Sequence, residues 1–210
     1  MKDLVIIGAS GFGRELLQWV KDINTVKLTW NIKGFIDDNL RALDGYECDY
    51  SVIGNIADRQ PNDNEEYAIA IAEPHIKEKI VTALRLKGAH FARIIHPRAT
   101  ICDFCSYGEG IVVYPSAGIG PNCVVGDFVS LLSSGLGHDA VVEDYATISS
   151  YCGISGHVHI GKRAFLASHA VIPPSKSVGD DAYVGAGSVV IRNVPNGKRV
   201  FGNPAKIIDI

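Results

Sequence analysis

The sequence is poor in several residue types whose abundance marks particular classes of protein. Aromatic residues make up 8% of the 210 residues and methionine occurs once, so large aromatic side chains cannot dominate the core. The 20 Lys and Arg are outnumbered by 23 Asp and Glu, and the resulting net charge of -3 argues against a nucleic-acid-binding protein. No apolar run reaches the roughly 18 residues of a membrane span, so we expect no membrane insertion.

Signals for secretion are also lacking. The chain enters strand-like sequence at its first residues, without a basic region and cleavage site, and its five cysteines are an odd number. We therefore expect a cytoplasmic protein with free thiols. Glycine is abundant, with 22 residues, and hydrophobic residues make up 47% of the chain. This hydrophobic content excludes wholesale disorder, and the mixture indicates a core of small and β-branched side chains.

Residues 1–94 alternate strand-like and helix-like segments. Apolar runs predict buried parallel strands, and the segments between them have the period of amphipathic helices. The predicted strands are Leu4–Ile7, Lys33–Ile36 and Tyr67–Ala72, and the predicted helices are Arg14–Asp22 and Pro74–Lys87. This order predicts a small Rossmann-like α/β domain with a parallel sheet.

A glycine-rich loop, Gly8–Gly13, joins the first predicted strand to the first helix. Backbone N–H groups at a helix N-terminus suit an anion such as a diphosphate. The spacing is Gly-x-x-Gly-x-Gly and not the dinucleotide pattern Gly-x-Gly-x-x-Gly, so a tight strand–helix turn without a ligand remains the alternative.

From Ile95 the period changes to six residues, so we expect residues 95–210 to form a second domain with a C-terminal tail. Fifteen of the sixteen positions in this register are aliphatic, and Tyr107 is the exception. A mostly small side chain follows four residues after each, and glycine often follows directly. The aliphatic positions are Ile95, Ile101, Val113, Ile119, Val125, Leu131, Val142, Ile148, Ile154, Ile160, Leu166, Ile172, Val178, Val184 and Val190.

A six-residue period predicts an all-β parallel β-helix of about five coils. Three short strands close one triangular coil of eighteen residues, one aliphatic side chain per side fills the axis, and coils stack through parallel ladders. We expect glycine to supply the turn dihedrals and small residues to fill the inward corners. Cys105 and Cys123 fall on that small-residue register, so we expect them to be corner fillers and not zinc ligands.

The hexad register breaks once, between Leu131 and Val142, which are eleven residues apart where two hexads need twelve. We expect the break to contain Gly135–Asp139 and to present His138 outward. A neutral imidazole can accept a proton from an attacking amine or hydroxyl, and Asp139 can orient it. The alternative is a surface histidine at an irregular turn.

These hexads resemble the hexapeptide-repeat sugar acetyltransferases, which have a left-handed β-helix. Three further segments resemble the branch with an N-terminal nucleotide-sugar-binding domain, which includes N-acetyltransferases of nucleotide-linked 4-amino-sugars and sialic acid O-acetyltransferases. These segments are Gly8–Glu15, Gly34–Asp38 and Val200–Lys206. The resemblance implies direct acetyl transfer from acetyl-CoA, without a metal, in a homotrimer that makes bacterial surface polysaccharide or glycan.

The resemblance also implies roles for individual residues. His138 and Asp139 match the catalytic segment. Gly11, Phe12 and Gly13 match residues that contact the nucleotide diphosphate, with Asp37 and Asp38 near the base or ribose. Thr147 stands where relatives carry a coenzyme-contacting histidine. Gly156, Ser168, Ala186 and Lys206 match other acetyl-CoA positions.

Three alternatives stay open at this point. The acceptor could be sialic acid or another sugar that is O-acetylated. A hexapeptide-repeat zinc lyase needs three histidine ligands, and no pair among His138, His157, His159 and His169 has the five-residue spacing typical of it. A non-catalytic scaffold is the third. We expect His157, His159 and His169 to be exposed coil residues, and His75, His90 and His96 to be structural.

Overall fold

A computed structural model describes residues 1–208 of the chain. They fall into two compact units, Met1–Pro97 and Arg98–Ile210, so the division lies a few residues beyond the predicted boundary. Asp209 and Ile210, the end of the predicted second domain, lie outside the described residues. The predicted fold class, an α/β domain followed by a parallel β-helix, is confirmed. Among residues 1–208, no helix combines the length and the hydropathy that crossing a membrane requires.

The first unit is built on a three-stranded parallel sheet in the order β2-β1-β3. β1 takes the centre because Leu4–Ile7 is apolar throughout, and all four of these side chains are 0% exposed. The predicted strands and helices are all found, with shifted ends. The elements are β1 (Lys2–Ile7), α1 (Gly11–Val26), β2 (Trp30–Ile36), β3 (Glu65–Ile69), α2 (Pro74–Leu86) and β4 (Ile94–Ile95).

The second unit is a parallel β-helix with three faces. Face 1 contains β5 (Thr100–Ile101), β8 (Gly118–Ile119), β11 (Gly135–Leu136), β14 (Gly153–Ile154) and β17 (Val171–Ile172). Face 2 contains β6 (Ser106–Tyr107), β9 (Val124–Val125), β12 (Val141–Val142), β15 (His159–Ile160) and β18 (Ser177–Val178). Face 3 contains β7 (Val112–Val113), β10 (Ser130–Leu131), β13 (Thr147–Ile148), β16 (Phe165–Leu166), β19 (Tyr183–Val184), β20 (Arg199–Phe201) and the antiparallel β21 (Lys206–Ile208).

The core of the β-helix is the column of aliphatic side chains that the hexad register predicts. The second residue of each two-residue strand points inward, and Ile119, Leu131 and Ile148 are each at most 1% exposed. The first residue of each strand points outward, as the alternation of a strand requires. Faces 1 and 2 have five strands each and face 3 has more, so the β-helix has about six turns, close to the predicted five.

The prediction that glycine supplies the turn dihedrals is wrong. Thirteen non-glycine residues have positive φ, and together with Gly110 and Gly187 they recur every six residues from Phe104 to Gly187, apart from a single five-residue step. Each immediately precedes an inward corner residue, as Phe128 precedes Val129. The left-handed conformation costs roughly 1–2 kcal/mol for an L-residue, so stacking of the coils must offset it repeatedly.

Glycine is required in the turns for a different reason, the close approach of neighbouring coils. A Cβ atom added at Gly126 would lie 2.7 Å from the backbone nitrogen of Asp144, and one at Gly161 would lie 2.6 Å from that of Asp180. Because the obstacle is backbone, no side-chain rotation relieves the clash. The glycine that follows the aliphatic residue is therefore needed because the neighbouring coil lies too close for a Cβ atom.

The register break lies earlier than predicted. The five-residue step runs from Phe128 to Ser133, where the chain crosses from face 3 to face 1, and does not include His138. Leu136 continues the aliphatic register six residues before Val142, and Ser134 fills the inward corner in place of Gly135. The Ser134 hydroxyl donates to the Ser149 carbonyl at 2.6 Å and accepts from the Cys152 N–H at 2.8 Å, so it links the shortened turn to the next coil.

The corner cysteines behave as predicted. Cys123 and Cys152 are buried and Cys105 is half-buried. Each thiol contacts a backbone carbonyl of the next coil, as the Cys105 Sγ does with Gly120 at 3.0 Å and the Cys123 Sγ does with Gly137 at 3.1 Å. Burial raises the pKa of the Cys123 and Cys152 thiols, so they stay protonated and unreactive.

Candidate active site

His138 and Asp139 lie on the corner between face 1 and face 2, between β11 and β12. The corner is a regular turn in which Asp139 takes the left-handed position with φ 58°. This conformation turns the carboxylate back along the chain, so that Asp139 Oδ2 lies 2.7 Å from His138 Nδ1. The His138 side chain is 58% exposed, which leaves its ring accessible to a ligand.

The hydrogen bond to Asp139 selects one form of the imidazole. His138 holds the pKa of the Asp139 carboxyl below its ordinary value through that bond, and the attraction of His157 lowers this pKa further. An ionised carboxylate accepts the Nδ1 proton, which leaves the lone pair on Nε2. In the part of the chain that the structure describes, no hydrogen bond to Nε2 is formed. The pair is therefore arranged to accept a proton at Nε2.

Gly156, a predicted coenzyme residue, lies directly beneath the His138 ring. A Cβ atom at Gly156 would lie 2.5 Å from both Cε1 and Nε2 of that ring. The backbone of the next coil thus forms the surface on which the imidazole rests. Among the predicted acetyl-CoA positions, Gly156 is the one that the structure brings to His138.

His157 joins the same corner from the next coil. Its ring stands edge-on to that of His138, with centroids 5.0 Å apart and planes at 87°. His157 Nε2 lies 3.7 Å from Asp139 Oδ2, which is ion-pair distance. His157 is exposed as predicted, but the sequence did not predict that it shares the carboxylate of Asp139. The signal was available, since the two residues are eighteen positions apart, which is one coil.

Potential metal-ligand atoms of His138, Asp139 and His157 all lie within 4.8 Å of one another. The ligand atoms of a tetrahedral zinc ion stand about 3.3 Å apart, because zinc–nitrogen and zinc–oxygen bonds are about 2.0–2.2 Å long. The 2.7 Å between His138 Nδ1 and Asp139 Oδ2 is shorter than this and is a hydrogen-bond distance. The arrangement fits a hydrogen-bonded His138–Asp139 pair with His157 at ion-pair distance, and not a zinc site.

The other predicted coenzyme residues do not gather around His138. Ser168 and Ala186 lie one above the other on the corner between face 3 and face 1, half-buried and exposed respectively. Face 1 separates that corner from the His138 corner. Lys206 is exposed at the start of β21, where it lines a groove of about 440 Å³ with residues of the 190–195 segment.

Thr147 is a correction to the predicted set. It lies on β13 between Ser130 and Phe165 of the neighbouring strands and is 0% exposed. A fully buried side chain offers no surface to a coenzyme. Thr147 occupies an outward position of face 3 that is nevertheless fully covered in the described structure.

The predicted nucleotide residues lie at the start of α1 and the end of β2. Gly11 is exposed, Phe12 is half-buried and Gly13 is buried. A Cβ atom at Gly13 would lie 2.0 Å from the Gly8 carbonyl oxygen, so Gly13 is needed for the strand–helix turn whatever it binds. Gly11 has no such constraint, because a Cβ atom there meets nothing within 4 Å.

Asp37 and Asp38 both accept bonds from backbone N–H groups. Asp37 Oδ2 accepts from Ala9 at 2.8 Å and its Oδ1 accepts from Asn39 at 2.8 Å. Asp38 Oδ1 accepts from Ile56 at 3.0 Å. Asp37 therefore clamps the glycine loop to the end of β2, a role that the sequence did not indicate.

We expect replacement of Asp37 by alanine to lower the free energy of unfolding by about 1–2 kcal/mol, because two charge-assisted bonds to backbone are lost at a half-buried position. Urea unfolding measures this. Asp38→Ala removes a single bond at an exposed position and is the matched control, expected to cost less than half as much. Equal effects of the two substitutions would contradict the clamp.

Face 1 carries a strip of glycine at outward positions, which the sequence analysis missed. Gly118, Gly135 and Gly153 are hydrogen-bonded neighbours on β8, β11 and β14. A Cβ atom at Gly118 or Gly135 would meet nothing within 4 Å. The fold therefore does not require glycine here, which is typical of a surface that another backbone or a ligand approaches closely.

Known proteins are similar to both units of this chain. Residues 3–84 match the family model of the PglD N-terminal domain. The chain is 29% identical over 214 residues to GDP-perosamine N-acetyltransferase of Escherichia coli O157:H7, covering 96% of this chain and 94% of that protein. The acetyltransferase domain of PglB from Neisseria gonorrhoeae FA1090, in complex with acetyl coenzyme A, matches with a TM-score of 0.89 at 26% identity over 99% of both chains. The chain is thus similar over nearly its whole length to sugar acetyltransferases of the hexapeptide-repeat type, and its first unit is similar to the PglD N-terminal domain.

A further solved structure is similar to this chain over its full length. WeeI from Acinetobacter baumannii AYE has a TM-score of 0.81 at 29% identity and covers 99% of this chain and 100% of its own. The resemblance inferred from the hexads and from the Gly8–Glu15, Gly34–Asp38 and Val200–Lys206 segments is confirmed.

Proposed function

We propose that this acetyltransferase uses acetyl-CoA to N-acetylate the amino group of a nucleotide-linked amino sugar. The observation that carries the proposal is the His138 imidazole, held 2.7 Å from Asp139 and exposed on a β-helix corner. End-to-end similarity to a GDP-perosamine N-acetyltransferase and to an acetyltransferase domain in complex with acetyl coenzyme A supports it. We further propose a 4-amino-4,6-dideoxyhexose as the sugar, cytoplasmic location, and a role in bacterial surface polysaccharide or glycan synthesis.

The proposed chemistry needs no covalent enzyme intermediate. The sugar amine attacks the thioester carbonyl, so that a carbon–nitrogen bond forms and the carbon–sulfur bond breaks. His138 Nε2 accepts the proton from the amine, and the departing thiolate of CoA takes up a proton. Asp139 stabilises the imidazolium that forms, through the bond to Nδ1.

The nucleotide sugar has a matching surface in the first unit. We propose that Gly11, Phe12 and Gly13, in the first turn of α1, contact the diphosphate, because helix N-termini attract anions. Asp37 and Asp38 would act near the base or ribose. Since the Asp37 carboxylate holds the glycine loop, its contribution to binding is to shape that loop.

For acetyl-CoA we propose contacts at Gly156, Ser168, Ala186 and Lys206. Gly156 lies under the His138 ring, where the thioester must arrive. Ser168 and Ala186 line the far edge of face 1, and Lys206 is an exposed cation that can meet a phosphate. Thr147 is not included, because it is fully buried.

We propose a homotrimer in which face 1 lies against a neighbouring copy. The glycine strip of Gly118, Gly135 and Gly153 leaves this face flat, and Val171 at its end is an exposed apolar side chain. A flat face of this kind lets a second β-helix approach closely, and cyclic symmetry closes such a contact.

Replacing Gly135 by arginine is expected to dissociate the assembly, because a long charged side chain then stands at the centre of the flat strip. Sedimentation analysis should show the mass falling from three chains to one. Val124→Arg, at the equivalent outward position of β9 on face 2, is the matched control and should leave the mass unchanged. An unchanged mass for Gly135→Arg would remove face 1 as the interface.

The proposed function is tested with the purified protein, acetyl-CoA and 4-amino sugars linked to GDP, UDP or dTDP. The expected result is release of CoA thiol together with an amide on the sugar nitrogen, identified by mass spectrometry and NMR. Thermal-shift measurements with the same nucleotide sugars identify the preferred nucleotide, because a ligand that binds the folded state raises the midpoint. Acetyl esters on sialic acid, with no amide product, would favour the O-acetyltransferase alternative instead.

A further inference from the structure

A second histidine faces the carboxylate of Asp139, and neither the family resemblance nor the proposed chemistry uses it. We propose that His157 is a positioning residue, which holds the Asp139 carboxylate and the His138 ring in the orientation that proton transfer needs. The proposal rests on the proposed function of His138 as the base. It assigns His157 no contact with the reacting atoms.

The fold brings His157 to this place through its repeat. Asn122, Asp139 and His157 occupy the same left-handed turn position on three successive coils, with φ of 58°, 58° and 56°. Side chains at equivalent positions of stacked coils lie above one another, so the polar group of one coil meets that of the next. His157 N donates to the His138 carbonyl at 3.0 Å, which fixes the two coils whatever side chain stands at position 157.

Two contacts define what His157 does in this column. Its Nε2 lies 3.7 Å from the Asp139 Oδ2 atom that bonds His138 Nδ1 at 2.7 Å, so one oxygen faces both rings. Its ring edge packs against the His138 ring with centroids 5.0 Å apart. Together these contacts restrict rotation of the Asp139 carboxylate and of the His138 ring.

The carboxylate is held from both neighbouring coils. The pKa of Asp139 is lowered by His138 most strongly, and also by His157 and Asn122. The nearby Cys123 thiol is a further titratable group, and its pKa is raised by burial and, to a smaller extent, by the charge of this carboxylate. Removal of His157 takes away one attractive group. The pKa of the Asp139 carboxyl should therefore rise in a His157→Ala variant, independently of any acceptor.

The kinetic test uses His157→Ala and His157→Gln. Alanine should lower kcat about tenfold with both KM values within about twofold, because orientation is lost and substrate contacts are kept. Glutamine can donate an N–H to the carboxylate and should recover most of kcat. His159→Ala is the matched control, because His159 is an exposed histidine of the same coil that pairs with Glu143.

A double-mutant cycle separates positioning from direct action. If His157 works through Asp139, then His157→Ala should add less than about twofold to the loss caused by Asp139→Asn, because coupled residues are not additive. A full tenfold effect in that background, or a loss confined to KM, would overturn the proposal, as would wild-type kcat in His157→Ala.

Failure of the proposed function gives a different pattern. If the wild-type protein transfers no acetyl group to any nucleotide-linked amino sugar, the proposed function fails. Titration of the Asp139 carboxyl by carbon NMR then still tests the contact with His157. A pKa for Asp139 that is unchanged in His157→Ala would overturn the inference whatever the acceptor proves to be.

Discussion

Replacing His138 by alanine lowers kcat by about 10²-fold or more, the contribution of a positioned general base. The expected effect is on kcat and not on KM, because the ring meets the amine proton only as the carbon–nitrogen bond forms. Steady-state kinetics on the preferred nucleotide-linked amino sugar measure both. The side chain is 58% exposed, so the substitution should not disturb the β-helix.

Two companion variants make this result specific. Asp139→Asn keeps the size of the side chain but removes the charge, and should lower kcat by an intermediate factor, about tenfold, because the Nδ1–H tautomer is no longer selected. His169→Ala, at the same turn position on the face 3–face 1 corner, should leave kcat unchanged. Full activity of His138→Ala would remove the general base from the account.

Replacing Gly156 by alanine should also lower kcat strongly, by about 10- to 100-fold. The added methyl group would stand 2.5 Å from Cε1 and Nε2 of His138, so the imidazole must turn away. A displacement of about 1 Å at a reacting group can cost about 10²-fold in rate. The backbone at Gly156 does not have positive φ, so alanine itself is accommodated without backbone strain.

Gly153→Ala is the matched control for this substitution. It lies three residues away on β14 of the same coil, and a Cβ atom there comes no nearer than 4.0 Å to a neighbour, at Val171 Cγ2. Its kcat should stay within about twofold of wild type, because the added methyl group does not reach the His138 ring and is far smaller than the arginine that is expected to separate the copies at face 1. Equal losses for both glycine variants would mean that Gly156 acts through the assembly or the coenzyme and not through His138.

The sequence predicted much of the fold because both units are built on periods that it displays directly. The uninterrupted Leu4–Ile7 run marks the central strand of the parallel sheet, and the six-residue aliphatic register marks the β-helix axis. His138 and Asp139 were predicted as a pair from adjacent positions, and the structure places them at hydrogen-bond distance. These predictions depend on local order along the chain.

The features that the sequence did not predict depend on contacts between coils. The register break was placed around His138 because Leu131 and Val142 are eleven residues apart, but Ser134 fills the earlier corner and makes bonds that only the folded coil reveals. The glycine turns were explained by dihedral freedom, whereas the atoms of the next coil make glycine necessary. Thr147 stands at an outward position of face 3 but is fully buried, and a matching position in a repeat does not specify what covers a side chain in the folded protein.

The most direct test of the account is a single competition measurement. The wild-type protein receives acetyl-CoA that is labelled in the acetyl group, together with three acceptors in equal amounts. The acceptors are a nucleotide-linked 4-amino sugar, the same amino sugar without its nucleotide, and sialic acid. Mass spectrometry then separates the labelled products. The account predicts that the label forms an amide on the nucleotide-linked sugar and that His138→Ala abolishes most of it. Label found only on free sugar or on sialic acid hydroxyls would contradict it.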